Sequence, residues 1–195
     1  MPRGQRAESP TGYYHWINRG VNQKKLFHFK DDFKAFLDLV QEYKERFEID
    51  LFHYCLMTNH IHLLIKTNDI QALFRFSYYV QRRYAYYYCK AHKWRGQVFQ
   101  RMYKSLPIDK DTYLLECGRY IERNPLRAKL VKSVGEWPYS SYSFYATGQR
   151  NNLITVSPAY LEMASETPKR QSIYQEYVNQ ERVYENIVDQ ALMGS

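Results

Sequence analysis

Only two residues, Thr58 and Asn59, separate two runs of strand-forming character, 49–57 and 60–66. A parallel crossover needs a dozen residues or more, so runs this close must pair as an antiparallel hairpin. The rest of the chain has to be arranged around it. Upstream, Tyr13–Arg19 is an aromatic and branched run closed by Gly20, which reads as another strand. Between it and the hairpin, Asp31 and Asp32 open a helix, with carboxylates at the positive end of its dipole. Phe33, Phe36, Leu37, Val40 and Phe47 follow there at helical spacing. Downstream, 70–92 predicts a long helix with a core stripe of Leu73, Ser77, Val80, Tyr84, Tyr87 and Ala91. Residues 98–105 predict a fourth strand. A further helix starts after Asp109 or Asp111 and ends near Asn124, because Pro125 disfavours a helical residue before it. The order β-α-β-β-α-β predicts an α+β fold, ferredoxin-like or RRM-like: one antiparallel sheet with helices on one face, plus a further helix.

Charge divides the chain. Residues 1–149 hold 24 Lys and Arg against 14 Asp and Glu, whereas residues 150–195 hold 4 against 6. The boundary falls in the polar stretch Gly148-Gln149-Arg150-Asn151-Asn152, so 1–149 reads as a basic main domain and 150–195 as a helical C-terminal extension. In the extension, Ser157-Pro158 and Thr167-Pro168 each resemble an N-cap followed by proline at the first helical position. The second pair opens a helix with Ile173, Tyr177, Tyr184, Ile187, Val188 and Ala191 along one side. No run of 18 apolar residues is present, so no membrane span is expected. Met1–Arg6 is basic without an apolar segment, and Cys55, Cys89 and Cys117 are odd in number and widely spaced. Together they point to a reducing cytoplasm and away from a disulfide framework or a cysteine zinc site. A basic domain rich in tyrosine, of which the chain has 20, suits single-stranded nucleic acid with accessible bases.

Three groups of residues carry chemistry. His60 and His62 are two apart in a strand, so both imidazoles leave the same face, about 6.6 Å apart along the backbone, and can converge on one ion. On spacing alone, they equally suit two histidines on a half-exposed strand face. Tyr120 and Asn124 are four apart on one helix face, opposite a stripe of Leu114, Cys117, Gly118 and Ile121. They could be a nucleophile beside a metal ligand, or an exposed tyrosine and a C-capping asparagine. On the long helix, Arg75, Tyr79, Arg82, Arg83, Tyr86, Lys90 and Lys93 share one side, as a DNA-contacting surface or as a solvated basic face.

What separates these readings is their joint occurrence. Leu56-Met57-Thr58-Asn59-His60-Ile61-His62-Leu63-Leu64-Ile65 matches the HUH motif of single-strand DNA nucleases, and Arg119-Tyr120-Ile121-Glu122-Arg123-Asn124-Pro125-Leu126-Arg127 matches the YxxxN-Pro segment that follows it. Tyr14–Gly20 (YHWINRG), Val98–Ser105 (VFQRMYKS) and Trp137–Tyr142 (WPYSSY) match as well. Over about residues 12–147 the chain resembles the IS200-like transposases, more closely their REP-associated tyrosine transposase branch. Thr58 stands where the family usually has proline.

The resemblance implies that His60 and His62 bind a divalent metal, with Asn124 as third ligand and Tyr120 as the single nucleophile on a catalytic helix. Two imidazoles and an amide oxygen suit Mg²⁺ or Mn²⁺ with open positions, and fit a closed zinc site poorly. The implied activity is metal-dependent cleavage and transfer of single-stranded DNA at hairpin-associated sites through a 5′-phosphotyrosine. Arg3, Arg6, Arg19, Arg82, Arg83, Arg101, Lys104 and Arg123 are the residues expected to contact DNA. The partner is hairpin DNA, with no membrane, in a nucleoid-associated cytoplasmic protein acting as a monomer or homodimer. The rival is a non-catalytic RRM-like nucleic-acid-binding module, although Ile61, Leu63 and Ile65 do not supply the aromatic motifs of such a sheet.

Overall fold

A computed structural model describes residues 8–100, 103–108 and 113–180. Its elements are β1 (Tyr13–Arg19), α1 (Lys30–Arg46), β2 (Asp50–Leu56), β3 (His60–Lys66), α2 (Ile70–Ala91), β4 (Lys104–Ile108), α3 (Tyr113–Arg127), α4 (Tyr142–Thr147), α5 (Pro158–Leu161) and α6 (Thr167–Asn179). The four strands form one antiparallel sheet in the order β2-β3-β1-β4. This is the expected ferredoxin-like arrangement, with the hairpin at one edge.

Period-two alternation gives the sheet two different faces. Trp16, Leu56, Ile61, Leu63 and Ile65 point toward α1 and α2 and form the main core with Phe36, Val40, Leu73, Phe76, Val80 and Tyr84. The helix stripe turns slightly from the expected one: Phe76 and Tyr88 are buried, Tyr87 is half-buried and Ala91 is exposed. Asp32 anchors the start of α1 by accepting the backbone N–H groups of His28 and Phe29 at 2.7 and 3.0 Å. The opposite face carries Tyr13, Cys55 and Leu64 and packs against Leu114, Cys117, Tyr120 and Ile121 of α3. The two helices of the βαββαβ unit thus share one face, and the extra helix covers the other.

Two features bring α3 close to the sheet. The β2–β3 register shifts between Leu51 and His53. This bulge lets Phe52 and His53, neighbours in sequence, both pack toward α3. Gly118 then lies flat on the His53 ring, where a Cβ would sit 2.7 Å from ring atoms.

Three expected boundaries change. β4 runs Lys104–Ile108 rather than 98–105; upstream of it, Phe99 makes only a bridge to Gly20. Pro107 fits there because β4 is an edge strand. α3 continues past Pro125 to Arg127. Proline cannot donate to the Ile121 carbonyl, but the Asn124 side-chain Nδ2 reaches it at 3.3 Å, as well as the Tyr120 carbonyl at 2.7 Å. α6 is preceded by Glu166 as its cap, with Thr167 already helical, and it buries Tyr174 and Val178 rather than Ile173 and Tyr177. Tyr184, Ile187, Val188 and Ala191 lie outside the described residues.

The segment Trp137–Ser141 shields the free edge of β2. Leu56 N–H donates to the Tyr139 carbonyl at 2.9 Å, Ser141 N–H donates to the Tyr54 carbonyl at 3.0 Å, and Tyr139 stacks on Phe33. Beyond it, α4, α5 and α6 share a third cluster around Tyr145, Tyr160 and Tyr174.

Candidate active site

β3 sets the first half of the site. Ile61, Leu63 and Ile65 are fixed in the main core, so His60 and His62 must face α3. The register places Arg19 opposite His60 and Ile17 opposite His62. On the far side of β1, Lys104 pairs with Ile17. The His60 and His62 ring centroids are 5.0 Å apart.

α3 supplies the other half. The Tyr120 ring is buried, with its centroid 5.9 Å from that of His62. Asn124 lies one turn further along the same helix face. The two histidines and the tyrosine, 58 positions apart along the chain from His62 to Tyr120, therefore meet within one chain.

His15 and Arg127 complete the surroundings, and neither stood out among the candidates read from the sequence. His15 Nε2 lies 2.9 Å from His62 Nδ1, and its ring centroid is 5.8 Å from that of Tyr120. The signal was available: residues 13, 15, 17 and 19 share a strand face, and His15 belongs to the Tyr14–Gly20 segment. The Arg127 guanidinium sits 5.2 Å from the Tyr120 ring centroid. A helix ending at Asn124 would not carry it there; continuation through Pro125 does.

The electrostatics keep the imidazoles neutral. Burial, with the Arg19 charge adding to it, pushes His60 down to about 4; burial alone pushes His15 down to about 3. His62 is held well below the usual histidine range, mainly by burial and then by His60, His15, Arg19 and Arg127. Neutral rings in the folded state and protonatable rings in the unfolded state make stability fall with acid. In chelator-treated protein, the urea midpoint is expected to hold above pH 6.5 and to decline as the pH drops toward 4. A midpoint unchanged between pH 7.5 and pH 5 would contradict neutral, buried rings.

The donor set fits a divalent ion. Asn59 Nδ2 donates to the Gln23 carbonyl, so its Oδ1 faces His60 Nδ1, 2.7 Å away. That nitrogen must then carry the hydrogen, leaving His60 Nε2 bare. His62 Nε2 is buried with no hydrogen-bond partner among the described residues. Asn124 uses its Nδ2 on backbone carbonyls, and no described residue donates to its Oδ1. Among the described residues no three His, Cys, Asp or Glu side chains could hold a metal together. An ion here would thus need a ligand of another kind, which the Asn124 amide oxygen is.

The cations expected to contact DNA separate by place. Arg19 is exposed at the rim, and Lys104 is half-buried near it. Arg82 and Arg83 are exposed on α2, across the sheet from the histidines, and Arg82 donates to Tyr78 Oη at 2.8 Å. Arg123 has to be withdrawn as a DNA contact. It is buried, and its guanidinium donates to the Val178 and Asn179 carbonyls at 2.9 and 3.1 Å, closing the C-terminus of α6. Arg119 is also buried and donates to the Gln180 carbonyl. Arg3, Arg6 and Arg101 lie outside the described residues. Arg123→Ala is therefore expected to lower stability by about 1–3 kcal/mol while changing DNA affinity less than about twofold. Paired thermal melts and hairpin titrations check this, and an affinity loss without a stability loss would contradict it.

Among the described residues no helix is long and apolar enough to cross a membrane. No curated protein sequence matches the chain. Among solved structures, a REP-associated tyrosine transposase bound to a REP hairpin has a similar fold, with a TM-score of 0.62 at 15% identity over 80% of this chain and 92% of that one. A transposase structure from Deinococcus radiodurans aligns with a TM-score of 0.43 at 17% identity, over 63% of this chain and 97% of its own. Residues 9–124, more than half of the chain and the part that holds His15, His60, His62, Tyr120 and Asn124, match the family described as "Transposase IS200 like". The chain belongs to the IS200-like transposase family.

Proposed function

We propose that this transposase is a divalent-metal-dependent single-strand DNA endonuclease and strand transferase that cuts beside hairpins and uses Tyr120 as its nucleophile. The observation that carries this reading is the convergence of His60, His62 and Tyr120 within one chain, with His62 and Tyr120 ring centroids 5.9 Å apart. His60, His62 and Asn124 would hold Mg²⁺ or Mn²⁺, which supplies positive charge for the oxygens of the scissile phosphate.

Tyr120 Oη attacks phosphorus in line. The new O–P bond forms as the bond to the 3′ oxygen breaks; the phenol proton is lost and the 3′ oxygen gains one. The 5′ end stays on the protein as a phosphotyrosine. A 3′-OH attacking that linkage reverses the step or joins strands, with the ester itself as energy source. A free phenol is ionised only to about one part in a thousand near neutral pH, so its deprotonation needs help. The Arg127 guanidinium lies over the Tyr120 ring, a cation–π contact that helps hold the ring in place. Arg19 and Lys104 lie on the sheet face that carries the histidines, suited to the phosphates on either side of the cut.

Because one chain supplies the nucleophile and both histidines, a monomer suffices for cleavage. The hairpin substrate rests on the similar fold of the transposase bound to a REP hairpin. A non-catalytic binding module would explain the basic surface but not this grouping of His60, His62 and Tyr120. A labelled hairpin oligonucleotide with single-stranded flanks separates the two. Cleavage is expected with Mg²⁺ or Mn²⁺ and should vanish in chelator or in His60→Ala. Undiminished cleavage in chelator would overturn the metal-dependent reading, whereas tight binding without cleavage under any metal would favour the binding module.

A further inference from the structure

We infer that His15 is a positioning residue: its Nε2 accepts the Nδ1 hydrogen of His62, fixing the tautomer that leaves His62 Nε2 bare at the site. The inference extends the proposed metal site, but its first test does not need the metal.

The 2.9 Å contact between His15 Nε2 and His62 Nδ1 can run in either direction. If His15 donated, the hydrogen of neutral His62 would sit on Nε2. That atom is buried with no partner among the described residues, so an N–H there would be an unsatisfied donor. If His62 donates, the hydrogen of neutral His15 sits on its Nδ1, which is not among the buried atoms lacking a partner. The second arrangement strands no donor. It also leaves a lone pair on His62 Nε2, which a cation can take up, whereas an N–H at that atom could not.

The surroundings of β1 reinforce this direction. Across the strands, His15 faces Leu64 on one side and Leu106 on the other. Neither side chain can accept or donate, so His62 is the ring's polar partner there. His60 shows the same device with a different residue. Its Nδ1 is 2.7 Å from Asn59 Oδ1, and the Asn59 amide is oriented by its own bond to the Gln23 carbonyl. Two partners from outside the donor set, an imidazole and an amide, thus leave both Nε2 atoms without a hydrogen. Hydrogen bonding at the second ring nitrogen is the general means by which proteins orient metal-binding histidines.

The full chain, labelled with ¹⁵N-histidine and freed of metal at pH 7.5, gives the direct test. Long-range ¹H–¹⁵N correlations are expected to show His62 protonated at Nδ1; protonation at Nε2 would overturn the inference. Mn²⁺ titration followed by electron paramagnetic resonance gives the second readout. His15→Gln offers a side-chain oxygen where Nε2 stood and should keep affinity within about threefold, whereas His15→Leu should lose about 10- to 100-fold. Unchanged affinity in His15→Leu would overturn the role. If the unsubstituted protein binds no Mn²⁺, the proposed metal site fails, and the His62 tautomer still decides for or against His15.

Discussion

Tyr120→Phe is expected to abolish cleavage of hairpin DNA while leaving hairpin binding within about threefold of the unsubstituted protein. The ring is what packs: it lies edge-on to His15 and His62 and beneath the Arg127 guanidinium, and phenylalanine preserves those contacts. What disappears is the oxygen proposed to form the bond to phosphorus. Loss of a nucleophile without a substitute costs at least about four orders of magnitude in rate. Single-turnover cleavage of a labelled oligonucleotide measures the rate, and a titration of the same oligonucleotide measures binding. Residual cleavage within tenfold of the original would mean that another group attacks.

Glu122→Ala is expected to have the largest effect on stability. Glu122 is fully buried on α3, two residues from Tyr120. It accepts from His53 Nδ1 at 2.9 Å, Ser141 Oγ at 2.6 Å and Tyr174 Oη at 2.8 Å. Burial and the Glu122 charge push the Tyr174 phenol well above its ordinary range, so it stays a donor. One carboxylate therefore joins β2, the segment ending at Ser141 and α6 to the tyrosine-bearing helix. Removing it leaves the buried His53 and Tyr174 donors without an acceptor and Ser141 Oγ with only the longer 3.3 Å contact to the Tyr54 carbonyl, a loss of about 3–5 kcal/mol. A fall in Tm of about 10 °C or more is expected. A Tm within about 2 °C of the original would show that the network does not hold α3 in place. Cleavage measured below the lowered Tm should also decline, because α3 then loses its fixed distance from β3.

The legible parts of the molecule were those dictated by local rules. A two-residue connection forced the hairpin, and strand alternation then sent His60 and His62 to the face away from Ile61, Leu63 and Ile65. The apolar stripe of α3 identified only part of the side that lies on the sheet: Tyr120, expected on the opposite face, is buried in the same cluster as Leu114, Cys117 and Ile121. Other features depended on contacts that no local pattern encodes. The bulge at Phe52 breaks the alternation of β2 and turns His53 toward α3, where its ring lies against Gly118. The passage of α3 through Pro125 requires the Asn124 side chain to serve the Ile121 carbonyl, and that extra turn is what brings Arg127 over Tyr120. β4 was misplaced because Val98 and Phe99 look like a strand, whereas Lys104–Ile108, interrupted by proline, does not.

Charge was the least reliable guide. Arg123 belongs to the basic motif around Tyr120, yet its guanidinium turns away to close the end of α6. A guanidinium on a helix looks the same in sequence whether it meets a phosphate or a helix carboxyl end. His15 was overlooked for a related reason. A single histidine in a strand otherwise filled by aromatic and branched residues reads as core, and only the pairing of β1 with β3 reveals its partner.

The most direct measurement is the site of covalent attachment. Full-length protein is mixed with Mg²⁺ or Mn²⁺ and a hairpin oligonucleotide whose released 5′ fragment, ending in a 3′-OH, diffuses away, so that the linked species accumulates. Protease digestion and mass spectrometry then locate the nucleotide. The expected result is a metal-dependent 5′-phosphotyrosine on Tyr120, absent in chelator and in Tyr120→Phe. Attachment to any other residue, or efficient cleavage with no covalent species at all, would contradict Tyr120 as the nucleophile.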